Sequence, residues 1–213
     1  MVTGESITQI MAYDYKRDAQ GRIIVDDNGI PMRGDFKPMG GTLPVYYGGL
    51  SSSLQFKKMT LSFLVDFKFG NKVLSASEHY SYVYGLNKAT LEGRETGVVA
   101  DGVHSDGSVN QTSVPAYLYY PQLVSNISAL SVLNGSFIKF RELQLGYLFG
   151  APEKLRAQSL SIALYARNLF TILKYTDNID PESQFSPNLS YAGIEGASLP
   201  VSRTYGLRVH FKF

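Results

Sequence analysis

The most regular feature of the sequence is an alternation of apolar and polar residues with a period of two. In 60–70 the apolar members are Leu61, Phe63, Val65, Phe67 and Phe69. The same alternation recurs in 46–56, 159–164 and 204–213. Successive side chains of a strand point to opposite faces of a sheet. Each segment therefore predicts a β-strand with one apolar and one polar face.

Two further segments extend the pattern less regularly. In 137–149 the apolar positions change parity, from Ile138 and Phe140 to Leu143 and every second residue after it. This change predicts a β-bulge, because one extra residue returns the apolar side chains to the same face. A weaker strand is predicted near 6–15. Helical periodicity is scarce, so the pattern predicts an all-β chain with about six strands.

The connections between these strands are alternately short and long. Three residues, 57–59, separate one pair of strands, and a turn at 150–153 with a few further residues separates another. The long connections are 16–45, 71–136 and 171–201. Loops beyond about 12–15 residues are uncommon in compact domains, whereas outer-membrane barrels have short periplasmic turns and long outer loops. The spacing favours antiparallel transmembrane β-barrel strands with long extracellular loops.

Two other interpretations stay open from the pattern alone. A soluble secreted β-sandwich acting as a carbohydrate-binding module would share the alternation and the tyrosine-rich loops, but it does not explain the regular change of connection length. A small self-contained porin or adhesin would have to close with six strands, whereas the smallest bacterial barrels have about eight.

The two faces of the strands would meet different surroundings in a barrel. The apolar faces would contact the lipid bilayer, and the polar faces would line a hydrated lumen. Tyrosines near strand ends suit the aromatic girdles found at membrane surfaces. By parity, the lumen-facing candidates are Asp66, Lys68, Arg208, His210 and Lys212.

Composition excludes several classes of function. The 213 residues include 15 Tyr and 12 Phe but no Cys, which excludes a disulfide scaffold, a zinc ribbon and a thiol nucleophile. Twenty basic and eighteen acidic residues leave a net charge of +2, without the basic clusters of a nucleic-acid-binding protein. No apolar run approaches the roughly 18 residues of a membrane helix. The first residues, MVTGES, lack the features of a signal peptide.

No motif predicts catalysis, a cofactor or a metal site. The acidic groups at 18–21 and 26–29 lack the closing Glu of a calcium loop, and Asn-Gly after two Asp residues predicts a hairpin turn instead. His79, His104 and His210 lie far apart in the chain. The stretch around His104 has no nucleophile elbow and predicts two turns. The chain is therefore predicted not to be an enzyme.

The longest connection is rich in tyrosine, and an aromatic loop of this kind can contact a sugar or a peptide. The competing interpretation is that these rings pack the loop onto itself or onto a partner protein. The candidates for ligand or partner contact are Tyr80, Tyr82, Tyr84, Tyr117, Tyr119 and Tyr120.

Five segments, in order, resemble the C-terminal part of the SusC/RagA family of TonB-dependent outer-membrane transporters of Bacteroidetes. They are YYGGLSSSLQFKKMTLSFLVDFKFGNKV at 46–73, GRETGVVADGV at 93–103, NGSFIKFRELQLGYLF at 134–149, ALYARNLFTILKYTDNIDPE at 163–182 and LPVSRTYGLRVHFKF at 199–213. The segment at 4–31 is similar to the one that normally precedes them. In place of the Trp that many relatives carry after the NLFT motif, this chain has Ile172, Leu173 and Lys174.

The resemblance implies that residues 1–213 are the C-terminal part of a TonB-dependent receptor, with about six strands of a large plugged barrel of about 22. No plug domain or energy-coupling box is found in these residues. The remaining barrel strands, a SusD-like surface lipoprotein and the TonB–ExbB–ExbD complex, which acts through the plug, would be the partners. The implied function is uptake of oligosaccharides or peptides across the outer membrane of a Gram-negative bacterium.

The resemblance also implies a role for the last strand. An aromatic alternating strand that ends on Phe resembles the signal by which the outer-membrane assembly machinery recognises its substrates. The alternative is an ordinary amphipathic edge strand. The residues of this predicted assembly signal are Tyr205, Leu207, Val209, Phe211 and Phe213.

Overall fold

The computed structural model describes residues 4, 8–150, 158–183, 185 and 191–213. Its strands are β1 Gln9–Tyr15, β2 Arg33–Gly41, β3 Tyr46–Phe56, β4 Met59–Phe69, β5 Lys72–Ser75, β6 Val132–Asn134, β7 Phe137–Phe149, β8 Ser159–Lys174, β9 Ile194–Glu195 and β10 Thr204–Lys212. Its helices are α1 Ala76–Val83 and α2 Ala116–Asn126, with 3-10 helices at Lys88–Leu91 and Ser128–Ser131. The chain divides into two compact units.

One unit, called the sheet unit, consists of Pro44–Gly70, Gly135–Glu182 and Pro200–Phe213. It is an antiparallel sheet of five strands in the order β10-β8-β7-β4-β3. The alternating segments of the sequence predict all five. The short connection between β3 and β4 is a tight turn at Lys57, whose backbone has a φ of 54°. Most of the second predicted short turn, 151–157, lies outside the described residues.

The strand register places the apolar side chains on one face of this sheet. A row of paired leucines crosses all five strands, formed by Leu54, Leu61, Leu145, Leu164 and Leu207. Each of these leucines is exposed, by 39% to 60% of its surface. Soluble monomers rarely expose a contiguous apolar surface of this extent.

The parity change in 137–149 is a bulge, as the sequence predicts. Along β4, Leu64 pairs with Glu142 whereas Val65 pairs with Phe140, so Arg141 is the extra residue of β7. The register between β7 and β8 also shifts between Phe140 and Glu142. A bulge re-aims the side chains beside it, and here it interrupts the alternation at Arg141.

The other unit, called the loop unit, consists of Met1–Leu43, Asn71–Asn134 and Ser183–Leu199. Strands β1 and β2 pair in a two-stranded sheet, and β6, β5 and β9 form a three-stranded sheet. The buried core of the unit contains Val25, Ile30, Ala100, Val114, Ala116, Tyr119, Tyr120, Leu123 and Ile127. The three long connections of the sequence therefore supply most of a folded unit.

Two predictions need correction here. The weak strand near 6–15 is predicted as one of about six barrel strands, but β1 pairs with β2 in a separate two-stranded sheet. The longest connection, 71–136, is predicted as an extracellular loop of an all-β chain, but it contains α1 and α2. These helices have only 8 and 11 residues, and Pro121 lies inside α2, which obscures helical periodicity. The chain is mostly β, and none of its described helices has the length and apolarity needed to cross a membrane.

Glu195 joins distant parts of the loop unit. Its side-chain oxygens accept hydrogen bonds from Ser75 Oγ at 2.6 Å, from Ser77 Oγ at 2.8 Å and from the backbone N–H of Ser77 at 3.1 Å. The backbone N–H of Ala197 donates a fourth, at 2.6 Å. Ser75 is the N-cap residue of α1 and also accepts from the Glu78 N–H. Glu195 is 1% exposed, so the four hydrogen bonds that its carboxylate accepts replace its hydration.

These contacts make the loop unit sensitive to acid. Burial alone would raise the pKa of Glu195, but the hydrogen bonds from Ser75 and Ser77 outweigh it and hold the pKa below its ordinary value of 4.5. A folded-state pKa below the unfolded one contributes stability above about pH 4.5, and the contribution is lost as the pH falls through the folded-state pKa.

We therefore expect Glu195→Gln to be less stable than the wild type at neutral pH, with a difference that shrinks in acid. Urea denaturation at a series of pH values measures this difference. Asp35→Asn, which removes one exposed carboxylate from the same unit, is the control and should give little change. A Glu195→Gln difference that is the same at every pH would contradict the prediction.

Candidate functional site

The polar face of the sheet unit carries a cluster of six charged side chains. Lys139 Nζ lies 2.5 Å from Asp180 Oδ1 and 2.8 Å from Glu182 Oε2. Arg141 donates to Asp66 Oδ1 at 2.8 Å and to Glu182 Oε2 at 2.6 Å. Lys68 Nζ completes the cluster at 3.6 Å from Glu182 Oε1. Three cations and three anions balance one another.

The cluster forms because the chain folds back over the sheet after β8. Thr176 Oγ1 donates to the Ile179 carbonyl at 2.9 Å, and Lys174 Nζ donates to the Asp177 carbonyl at 3.1 Å, which closes a compact turn. The turn delivers Asp180 and Glu182 to the cations of β4 and β7. We call 175–182 the acidic strap. It ties the end of β8 to the middle of the sheet.

Burial and hydrogen bonding act in opposite directions on the central carboxylate. Burial alone would raise the pKa of Glu182, but hydrogen bonds from Arg141 and Lys139 outweigh it and lower the pKa. Glu182 is therefore held ionised within the cluster.

One aromatic ring supports all three cations. Phe137 is fully buried, and its ring centroid lies 5.0 Å from Lys139 Nζ and 5.7 Å from both Lys68 Nζ and Arg141 Cζ. Cations near an aromatic ring are attracted by its quadrupole. The charged cluster thus packs on a buried aromatic side chain, unlike a set of solvated surface ion pairs.

The structure brings together some of the predicted lumen residues. Asp66 and Lys68 both belong to the charged cluster. By strand register, Arg208, His210 and Lys212 lie on the same face of the sheet, on β10, where they pair with Ala163, Ser161 and Ser159. The register thus places these residues on one face of the sheet, and their exposure to a lumen stays a prediction.

Sequence reasoning missed four members of the cluster, Lys139, Arg141, Asp180 and Glu182. The sequence offered one signal for Arg141. The change of parity in 137–149 predicts a bulge, and Arg141 is the extra residue of that bulge. Nothing in the alternation pointed to the acidic strap, because its position depends on how the chain turns after β8.

The predicted ligand tyrosines separate into two groups. Tyr119 and Tyr120 are 7% and 6% exposed and belong to the core of the loop unit. Burial raises the pKa of Tyr119 to about 12. Tyr82 packs partly buried against the same core. Burial of these rings agrees with the interpretation that the loop packs onto itself.

Tyr80, Tyr84 and Tyr117 remain exposed, by 54%, 70% and 76%. The rings of Tyr80 and Tyr84 are stacked, with centroids 6.0 Å apart and planes 17° from parallel. Tyr84 and Tyr117 line a cleft of about 470 Å³ between α1 and α2, with Arg94 and Glu95 on its wall. We call it the tyrosine cleft.

The predicted turn regions are turns. Asp18 Oδ1 accepts hydrogen bonds from the backbone N–H groups of Gln20 and Arg22, and Asp26 Oδ1 accepts from those of Asn28 and Ile30. These side chains are occupied in closing their own turns. In the part of the chain that the structure describes, no group of three or more His, Asp or Glu side chains is placed to hold a metal ion.

Comparisons with known proteins give matches to solved structures alone. No family model matches the sequence, and no curated protein matches it. The RagAB peptide importer in the "closed-closed" state matches with a TM-score of 0.60 and 20% identity over 96% of this chain. The RagAB peptide transporter gives 0.60 and 19% over 96%, and the importer in the "open-open" state gives 0.59 and 17% over 100%.

This chain spans about a quarter of the length of those matched chains, 23% or 24%. The match covers almost all of the present chain, so it includes both the sheet unit and the loop unit. At this level of identity the comparison establishes the fold, which the chain shares with one part of the RagAB importer chains.

Proposed function

We propose that this chain is part of the wall and outer loops of a TonB-dependent outer-membrane nutrient importer of the SusC kind. The sheet unit would supply consecutive strands of the barrel, and the loop unit would be formed by its extracellular loops. The substrates would be oligosaccharides or peptides, taken up with a SusD-like lipoprotein and driven through TonB–ExbB–ExbD. No catalytic role is proposed.

The observation that carries this proposal is the two-faced sheet. Its apolar face exposes a leucine row across five strands, and its other face carries the charged cluster, which includes Asp66, Lys139 and Arg141. A barrel wall needs this combination, with hydrocarbon against lipid and polar groups against water. A soluble sandwich would bury this apolar face against a second sheet, whereas each leucine of the row keeps at least 39% of its surface exposed. The fold shared with the RagAB chains, which are named as peptide importers, supports the same conclusion.

The test is the location and native mass of the complete protein in its own cells. We expect it in the outer-membrane fraction, requiring detergent for extraction, in a particle several times heavier than the 23.6 kDa of this chain. Strains lacking TonB should retain the protein in the outer membrane but no longer take up its oligosaccharide or peptide substrate. A detergent-free particle of 23.6 kDa would overturn the proposal and favour the carbohydrate-binding sandwich.

The predicted assembly signal has its own test, which compares the apolar and polar faces of β10. Leu207, Val209 and Phe211 lie on the apolar face of β10, whereas Lys212 lies on the polar face. We expect Val209→Asp with Phe211→Asp to deplete the protein from the outer membrane, because charged side chains on the lipid face destabilise a barrel strand and here replace two apolar residues of the predicted signal. Immunoblots of membrane fractions measure this loss. Lys212→Asp is the control and should assemble near the wild-type level.

A further inference from the structure

We propose that Arg208, on the polar face of the sheet unit, binds a carboxylate group of the imported substrate. This inference rests on the proposed function, and it adds a binding residue in the barrel wall and an acidic class of substrate. The first argument is that the exposed guanidinium of Arg208 forms no ion pair with any residue that the structure describes. The described carboxylates of the sheet unit lie on β4, on β7 or in the acidic strap, and they are Asp66, Glu142, Asp177, Asp180 and Glu182.

The second argument is the contrast between Arg208 and the arginine nearest to it on the same face. Arg167 Nε lies 2.8 Å from Glu142 Oε2, so its charge is balanced, as are the charges of the charged cluster. Arg208 lies on β10, where it pairs with Ala163 in the strand register. The positive charge of Arg208 is therefore left for a partner outside the described strands.

The third argument is that a tyrosine ring positions this guanidinium. Tyr165 pairs with Gly206 between β8 and β10, and its ring occupies the space that a Cβ on Gly206 would need. Arg208 Cζ lies 5.8 Å from the centroid of this ring, and Arg167 Cζ lies 5.4 Å from it. An aromatic face attracts a guanidinium group and leaves its N–H groups free to donate. The ring of Tyr165 thus restricts Arg208 without occupying its hydrogen-bond donors.

The chemistry of a guanidinium group selects the ligand. Its N–H groups form a planar fork that matches the two oxygens of a carboxylate, and a restricted donor loses little further freedom on binding. One arginine balances the single charge of a carboxylate, whereas a phosphate monoester carries nearly two charges. A neutral ligand gains no charge-assisted hydrogen bond from Arg208. Acidic sugars and acidic peptides both carry carboxylates, so the experiment has one arm for each.

The experiment measures binding to the complete transporter, purified from outer membranes in detergent. One pair of probes is oligogalacturonic acid and its methyl ester, and the other is a pool of pentapeptides containing Glu and the same pool with Gln in its place. Retained probe is quantified by mass spectrometry after equilibrium dialysis. We expect the wild type to bind the acidic member of one pair about tenfold more tightly than the neutral member. This ratio should fall as the salt concentration is raised.

Three variants test the site through the ratio of acidic to neutral binding. Arg208→Gln should remove the preference, and Arg208→Lys should keep part of it, because lysine keeps the charge but lacks the planar fork. Tyr165→Leu removes the ring and should lower the ratio, whereas general damage to the fold would weaken both members of a pair equally. Lys58→Gln removes an exposed cation from the turn between β3 and β4, and as the control it should keep the wild-type ratio.

A wild type that binds neither acidic probe more tightly than its neutral partner would overturn the assignment. The same conclusion would follow if Arg208→Gln kept the full wild-type ratio. Membrane location and TonB-dependent uptake are scored separately in the same strains. A transporter that is correctly located and active, but whose ratio does not depend on Arg208, disproves the carboxylate site and leaves the proposed function standing.

Discussion

Lys139→Met is expected to destabilise the sheet unit by about 3–5 kcal/mol, the cost of breaking a buried ion pair from one side. Lys139 is 5% exposed, and its ammonium group is the partner of both Asp180 and Glu182. Methionine preserves much of the length of the side chain, so the loss reports mainly on the charge. Denaturation of the purified protein in detergent, followed by tyrosine circular dichroism, measures it.

Two further variants locate the cause of this loss. Lys58→Met removes an exposed lysine from the turn between β3 and β4 and should cost less than about 0.5 kcal/mol. Adding Asp180→Asn to Lys139→Met should recover part of the stability, because it removes the carboxylate that has lost its partner. A Lys139→Met variant as stable as Lys58→Met would show that the cluster does not hold the acidic strap.

Phe137→Ala is expected to cost a similar amount, about 3–5 kcal/mol, because it opens a cavity beneath the charged cluster. Phe137 is fully buried, and three cations lie within 5.7 Å of its ring. Phe137→Leu keeps an apolar side chain there but removes the aromatic face. It should cost about 1–2 kcal/mol, the size of a cation–π interaction together with imperfect packing.

The comparison residue is Phe36 in the loop unit, whose ring is 54% exposed. Phe36→Ala should cost about 1 kcal/mol in the same denaturation assay. If Phe137→Leu proves as stable as the wild type, the ring of Phe137 contributes only packing, and its interaction with the cations does not stabilise the protein.

The strands of the sheet unit could be predicted because their two faces have different surroundings. Successive side chains point to opposite faces, so apolar and polar residues alternate along the sequence. The bulge was predictable for the same reason, since Arg141 interrupts the alternation. The assignment of β1 to the large sheet was wrong, because alternation in Gln9–Tyr15 shows that a strand exists but does not name its partner. Partner choice depends on β2, whose sequence RGDFKPMGG carries no alternation.

The candidate site was harder to predict from the sequence. Asp66 and Lys68 were found by parity, but Glu182, the partner of Lys68, lies more than 110 residues later and outside any strand. Among the tyrosines, composition could not separate core from surface. Tyr117 and Tyr119 are two residues apart, yet one is 76% exposed and the other 7%, because α2 turns them to different sides. Such a short helix leaves too weak a pattern to assign those sides in advance.

The capping of α1 by Glu195 has a consequence for the order in which the protein forms. Ser75 and Glu195 are 120 residues apart in sequence, and strands β7 and β8 are synthesised between them. Contacts of such long sequence separation close slowly, because the intervening chain must first be ordered. During synthesis, α1 leaves the ribosome well before its capping carboxylate exists. A nascent chain stopped before residue 195 therefore has the Ser75 cap of this helix but lacks the Glu195 carboxylate, and the loop unit reaches its final contacts only after the strands between these two residues have been made.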